Sequence, residues 1–160
     1  MRAPIALDEG GYTWFESRAV ARPIAASLRD SVAMFRTWLD GGSTAAFDRT
    51  HTYLIGFSAG MMMAGALLLD DPARFAGAAL LSGAIARDAG SATPGRLANV
   101  PIFHGHGTLD TVIPLELVAE TRTYLRERSG ATLTERSYAH AHTISARELG
   151  DIAAWLDAPG

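Results

Sequence analysis

The sequence contains no cysteine, and this absence excludes several chemistries. Disulfide bonds, thiol catalysis and cysteine-ligated zinc all require the missing side chain. A chain without cysteine also fits a reducing cytosol, and we therefore expect a cytoplasmic protein.

The sequence also lacks an excess of charge of one sign and a long hydrophobic run. The formal net charge is −3, which offers no electrostatic attraction for nucleic acid. The longest apolar run, residues 59–69, has about half the length that a membrane span needs. We therefore expect neither a nucleic-acid partner nor a membrane span.

The sequence contains enough apolar residues to form a hydrophobic core. Hydrophobic residues make up 48% of the 160 residues, which suits one domain over residues 1–160. Periodicity predicts strands and helices in alternation after a segment, residues 1–22, that is mostly loop. The predicted strands are 52–57, 75–83, 100–105 and an outer strand at 132–139. Such alternation is typical of an α/β fold with a parallel sheet flanked by helices.

The predicted helices have recognisable ends. The first begins at Pro23 and is stopped by Gly41 and Gly42. The second covers residues 59–69, and the third runs from Pro114 to near Gly130. The last opens with the capping box Ser145-Ala-Arg-Glu148, and its predicted apolar stripe is Leu149, Ile152, Ala153 and Leu156.

The motif Gly-Phe-Ser-Ala-Gly, residues 56–60, joins a predicted strand to a predicted helix. In this context the motif indicates a nucleophile elbow, a strained turn that exposes the hydroxyl of Ser58. Gly56 and Gly60 would let strand and helix pass closely. The N–H of Ala59, at the start of the helix, could then donate to an oxyanion.

A nucleophilic serine needs a base, and the base needs an acid that orients it. Asp110 follows the third predicted strand, and His140 and His142 follow the last one. Active sites of parallel sheets gather at the carboxyl ends of the strands. The chain order Ser, Asp, His matches the order used with such elbows.

Three segments together resemble the phospholipase/carboxylesterase family of serine esterases in the α/β-hydrolase superfamily. They are GFSAGMMMAGALLL, VPIFHGHGTLDTVIP and YAHAHTISARELGDIAAWL. The resemblance implies that Ser58 is the nucleophile, Asp110 the acid and His142, rather than His140, the base. It also implies an esterase that needs no cofactor and acts on small to medium carboxylic esters. In the segment GGYTWFE, Trp14 and Phe15 would line the acyl pocket, together with Met61.

The resemblance also predicts an incomplete sheet, since the N-terminal strands of the family and their His-Gly-rich loop are missing. That loop carries the second oxyanion donor, for which Gly10 and Gly11 are candidate substitutes. The strand at residues 52–57 would then be an exposed apolar edge. We expect either a homo-oligomer or residues 1–20 to cover this edge.

Two alternatives belong to other classes. His104 with His106, and His140 with His142, are pairs at strand spacing that could bind a metal ion together with Asp110, giving a metal-dependent hydrolase. Alternatively, the chain could be a non-catalytic, truncated hydrolase that serves as a binding or assembly module.

Overall fold

The structure is a computed structural model that describes residues 1–41, 47–87 and 92–158. In chain order its elements are β1 (Ile5–Ala6), β2 (Tyr12–Thr13), β3 (Ser17–Ala19), β4 (Arg22–Pro23), α1 (Ala25–Leu39), β5 (Tyr53–Phe57), α2 (Ala59–Asp70), β6 (Gly77–Leu81), β7 (Pro101–Gly107), α3 (Leu115–Thr123), β8 (Thr132–Tyr138) and α4 (Ala146–Leu156). A short 3₁₀ turn, Pro72–Arg74, follows α2, and a π-helical turn, Tyr124–Arg128, follows α3.

The four longer strands form one parallel sheet in the order β5-β6-β7-β8. All five residues of β6 are buried, because helices cover both faces of this strand and its side chains are small or apolar. This arrangement confirms the predicted α/β class, including the outer position of β8.

Successive side chains of a strand point to opposite faces, and the sheet therefore has a separate apolar layer on each side. One layer joins Leu80 of β6 and Ile102 of β7 to α1, α2 and the π-helical turn. The other joins Leu81 and Phe103 of the same strands to Ile152 of α4. The sheet thus lies between α4 on one face and α1, α2 and the π-helical turn on the opposite face.

The N-terminal segment differs from the prediction in two ways. Within the predicted loop, β1 pairs with β2 and β3 with β4, giving two short antiparallel hairpins. The first long helix begins at Ala25 rather than Pro23, because Pro23 pairs with Ser17 in the second hairpin. The helix ends at Leu39, and the predicted stop at Gly42 lies outside the described residues.

The prediction for α4 was right about its start and wrong about its buried face. The Ser145 hydroxyl accepts the N–H of Glu148, as a capping box requires. The carboxylate of Glu148, however, turns inward to His140. Leu149 is 56% exposed, and the buried positions are Glu148 and Ile152. The buried face of α4 therefore contains Glu148 and Ile152, while Leu149 and Ala153 of the predicted stripe are exposed.

Strand β5 is an open edge, as the sequence predicted. Among the described residues it pairs with β6 alone, and Ile55 is 58% exposed. The strands of residues 1–20 form their own two-stranded sheets. The expectation that this segment covers the edge is therefore wrong for the described part of the chain.

Candidate active site

Ser58 occupies a strained turn between β5 and α2. Its backbone angles are φ 54° and ψ −119°, in a region that residues with a side chain rarely adopt. Its N–H donates to the carbonyl of Leu81 over 3.0 Å, and its own carbonyl accepts the N–H of Met61. The neighbouring strand and the first turn of α2 therefore hold the strained residue in place.

Glycines allow this close turn, although not both of the predicted ones. A Cβ on Gly56 would lie 2.7 Å from the backbone nitrogen of Met61, closer than real contacts allow. A Cβ on Gly60 would meet no atom within 4 Å, so the steric role predicted for Gly60 is wrong. Gly83 takes that role, since a Cβ there would lie 2.8 Å from the carbonyl oxygen of Ser58. The sequence signal for Gly83 was its place as the last residue of the predicted strand 75–83.

Asp110 follows β7 and is 5% exposed. Its Oδ1 accepts the N–H groups of Val112 and Ile113 at 2.8 and 3.2 Å. Burial raises the pKa of this carboxyl, but the hydrogen bonds from His142 and from these two N–H groups outweigh it, so that the pKa is lowered. Asp110 is therefore a buried carboxylate with one oxygen held by the backbone and one free for a side chain.

His142 lies on the loop between β8 and α4, between the other two side chains. Its Nδ1 is 2.9 Å from Oδ2 of Asp110, and its Nε2 is 2.9 Å from Oγ of Ser58. A carboxylate can only accept, so Nδ1 carries the proton and Nε2 is left to accept from the hydroxyl. The ring also contacts Phe57, with centroids 4.8 Å apart. The three residues predicted from the sequence thus form one hydrogen-bonded row.

The start of α2 and the first hairpin contain the backbone N–H groups that the sequence suggested as oxyanion donors. Ala59 is the first residue of α2, where backbone N–H groups lack partners within the helix. The N–H of Gly10 already donates to Leu7 in the turn of the first hairpin, so Gly10 is not the free donor that the sequence suggested. The first turn of α2 therefore offers the donor expected at Ala59.

The remaining histidines have different surroundings. His104 is fully buried, with Nδ1 3.9 Å from Glu135. His106 is 3.7 Å from Asp110, and burial lowers its pKa to about 4. His140 bonds to Glu148. In the described part of the chain no group of three or more His, Asp or Glu side chains could hold a metal ion. The four rings therefore do not form the shared metal site considered from the sequence.

Two of the three residues predicted for the substrate pocket are buried in the interior, and Trp14 is partly buried against the same apolar layer. Phe15 is 4% exposed within the apolar layer that contains α1 and α2. Trp14 packs on Phe35 of α1, with ring centroids 5.6 Å apart. Met61 is fully buried in the first turn of α2. Of the three, Met61 is the one bonded through its backbone to Ser58.

The structure combines a four-stranded parallel sheet, a strained serine between strand and helix, and Asp and His at neighbouring strand ends. Together these features define the class of α/β-hydrolase folds. A model of the phospholipase/carboxylesterase family matches residues 1–159. The chain therefore belongs to this family, and its membership supports an esterase activity.

Solved structures agree on the fold. A Mesorhizobium loti carboxylesterase aligns with a TM-score of 0.85 and 24% identity over 99% of this chain and 74% of its own. A Bacillus cereus carboxylesterase aligns with a TM-score of 0.83 and 22% identity, over 98% of this chain and 72% of its own. Arabidopsis thaliana SOBER1 aligns with a TM-score of 0.69 and 23% identity, over 98% of this chain and 79% of its own. A search of curated proteins found no match.

None of the helices within residues 1–41, 47–87 and 92–158 combines the length and the apolar character needed to cross a membrane.

Proposed function

We propose that the protein hydrolyses small to medium carboxylic esters with Ser58 as nucleophile, His142 as general base and Asp110 as the orienting acid. The single observation that carries the proposal is His142, whose two ring nitrogens each lie 2.9 Å from a partner in this set. That distance is within the range of direct proton transfer. Family membership supports the same chemistry.

The reaction follows from the proton positions. Nε2 of His142 accepts the Ser58 proton as Oγ attacks the ester carbonyl, and the imidazolium is stabilised by Asp110. The N–H of Ala59 donates to the oxyanion. The imidazolium then protonates the leaving alcohol, which leaves an acyl-serine. Water, activated by the same ring, releases the carboxylic acid and regenerates Ser58. No cofactor takes part in these steps.

The rate depends on how the oxyanion is bound. Removal of one oxyanion donor typically lowers kcat by about 10²–10³. With Ala59 as the assigned donor, we expect measurable but modest turnover. Met61, whose backbone N–H is bonded to Ser58, is proposed to support the acyl side of the substrate from behind the elbow. Trp14 and Phe15 belong to the same apolar layer and would support Met61 rather than contact the substrate.

The direct test is hydrolysis of short-chain p-nitrophenyl esters together with labelling by a fluorophosphonate. In Ser58→Ala we expect hydrolysis to fall to the background rate and labelling to vanish, because no nucleophile remains. Ser17→Ala, a change at an exposed serine of β3, is the matched control and should behave as wild type. Full activity in Ser58→Ala would refute the proposal. A wild-type chain that neither hydrolyses nor labels would favour the non-catalytic module.

We also propose that the chain forms a homo-oligomer through β5. Ile55 and Tyr53 are exposed on a strand whose outer backbone groups have no strand partner among the described residues. Edge pairing with a second copy would satisfy those groups and remove the apolar side chains from water.

A further inference from the structure

His140 and Glu148 form a buried pair beside the proposed active site that the reaction steps above do not use. Nε2 of His140 lies 3.0 Å from Oε2 of Glu148. The carboxylate is fully buried, and the His140 side chain is 11% exposed. Oε1 of Glu148 has no hydrogen-bond partner among the described residues. Burying these polar groups costs folding free energy, and the segments that the pair holds in place are therefore of interest.

The contacts of His140 fix the direction of its ring. Nδ1 lies 2.8 Å from the carbonyl oxygen of Ala141, and since a carbonyl only accepts, Nδ1 carries a proton. Nε2 therefore meets Glu148 either as an N–H facing a carboxylate or as an acceptor facing a protonated carboxyl. Burial raises the pKa of Glu148, and the bond to His140 opposes this rise. Both forms keep the same two contacts.

Two glycines of β7 leave the space that the pair occupies. A Cβ on Gly105 would overlap Oε1 of Glu148. A Cβ on Gly107 would lie 2.6 Å from both the Ala141 carbonyl oxygen and Nδ1 of His140. The alternation His-Gly-His-Gly along residues 104–107 therefore places small residues on the face that receives α4 and its carboxylate.

The backbone of His140 connects the two loops that carry the proposed acid and base. Its carbonyl accepts the N–H of Leu109, the residue before Asp110, over 3.1 Å. His142 follows two residues later, and the intervening Ala141 is exposed. The His140 ring is thus a second inward-pointing side chain of this loop, beside that of His142, while Ala141 between them is exposed.

We propose that Glu148, through the ring of His140, positions the loop so that His142 reaches Ser58 and Asp110 at the same time. Both are positioning residues, since neither contacts the reacting atoms. The inference rests on the proposed function and adds to it the support that orients the base from α4.

The test compares steady-state kinetics of variants that remove or retain the contact. In Glu148→Ala and His140→Met we expect kcat to fall about 10- to 100-fold with KM within about twofold, because a loosened base misses the geometry of proton transfer. Glu148→Gln should keep kcat within about threefold, since its amide can donate to Nε2 of a neutral ring. His51→Ala removes an exposed imidazole that also faces a carboxylate, that of Asp48, and should leave kcat unchanged.

A second readout does not depend on turnover. Histidine ¹H–¹⁵N NMR follows the His142 Nδ1 proton that faces Asp110, and we expect its signal to shift or exchange faster in Glu148→Ala and in His140→Met.

If Glu148→Ala does not fold, as judged by circular dichroism, His140→Met and Glu148→Gln carry the test. Wild-type kcat and an unchanged His142 signal in the folded variants would overturn the inference, as would equal loss of kcat in Glu148→Gln and Glu148→Ala. A wild type without hydrolysis refutes the proposed function, while the NMR comparison still decides the positioning.

Discussion

Gly56 has no Cβ, and the missing atom lets β5 and α2 approach closely. A Cβ there would be 2.5 Å from the carbonyl carbon of Gly60, which belongs to the helix backbone and cannot rotate away. The strained Ser58 lies between these two residues. The elbow therefore depends on Gly56 for space and on Ser58 for its unusual backbone angles.

The pair Gly56 and Gly60 offers a test of this explanation. We expect Gly56→Ala to lower the free energy of unfolding by about 1–3 kcal/mol, as over-packing against rigid backbone does. Gly60→Ala should be neutral or stabilising by up to about 1 kcal/mol, since its Cβ meets open space and alanine favours the helix. Urea unfolding measures both. Equal effects of the two changes would contradict the steric argument.

At the scale of elements, ion pairs join β8 to the helical segment before it. The carboxylate of Glu135 lies 2.9 Å from Nε of Arg122 in α3 and 2.6 Å from Nε of Arg126 in the π-helical turn. The pKa of Glu135 is lowered to about 2, first by the neighbouring His104 ring and then by Arg126, while burial opposes the shift. The ionised carboxylate therefore contributes to the attachment of the outer strand.

A lowered pKa makes this contribution dependent on pH. Because the folded pKa, about 2, lies below the ordinary 4.5, the stabilisation is complete above about pH 5 and is lost as the pH falls towards 2. Glu135→Gln should lower the free energy of unfolding at pH 7 by on the order of 2 kcal/mol, a value reduced for the exposure of Arg126. The difference from wild type should shrink at pH 3.

Urea unfolding at pH 7, 5 and 3 checks this prediction. Glu127→Gln, a change at an exposed glutamate of the same π-helical turn, is the control for the loss of one acidic residue. A constant difference between Glu135→Gln and wild type from pH 7 to pH 3 would show that the carboxylate does not act through its charge.

At the scale of the whole molecule, the edge strand β5 is the surface through which we propose that the chain associates. Ile55→Lys places a charge on this edge, and we expect it to shift an oligomer towards monomer in size exclusion with light scattering, because edge charges oppose strand pairing. Val20→Lys is the matched control, since Val20 is 55% exposed, close to the 58% of Ile55, and lies between β3 and β4. A wild-type chain that is monomeric at high concentration would refute the oligomer.

What could be predicted from the sequence followed local rules. We could predict the alternation of strands and helices, the turn at Ser58 and the places of Asp110 and His142, because strand ends and turns leave local signals in the sequence. The start of α1 was misjudged, since Pro23 suits a helix start and a hairpin strand equally well. The face of α4 was misjudged because Leu149 has the helical period of a buried residue and yet is exposed.

The sequence by itself thus determined the class of fold and the three side chains that meet at the carboxyl ends of the strands. Only the tertiary structure decided which glycines the site needs, since the contacts of Gly83 and Gly107 are with backbone distant in the chain. It also decided that the carboxylate of Glu148 faces His140, while the N–H of the same residue stays bonded to Ser145. The physical reason is that close approach and burial are set by the packing of several elements, and no single segment encodes them.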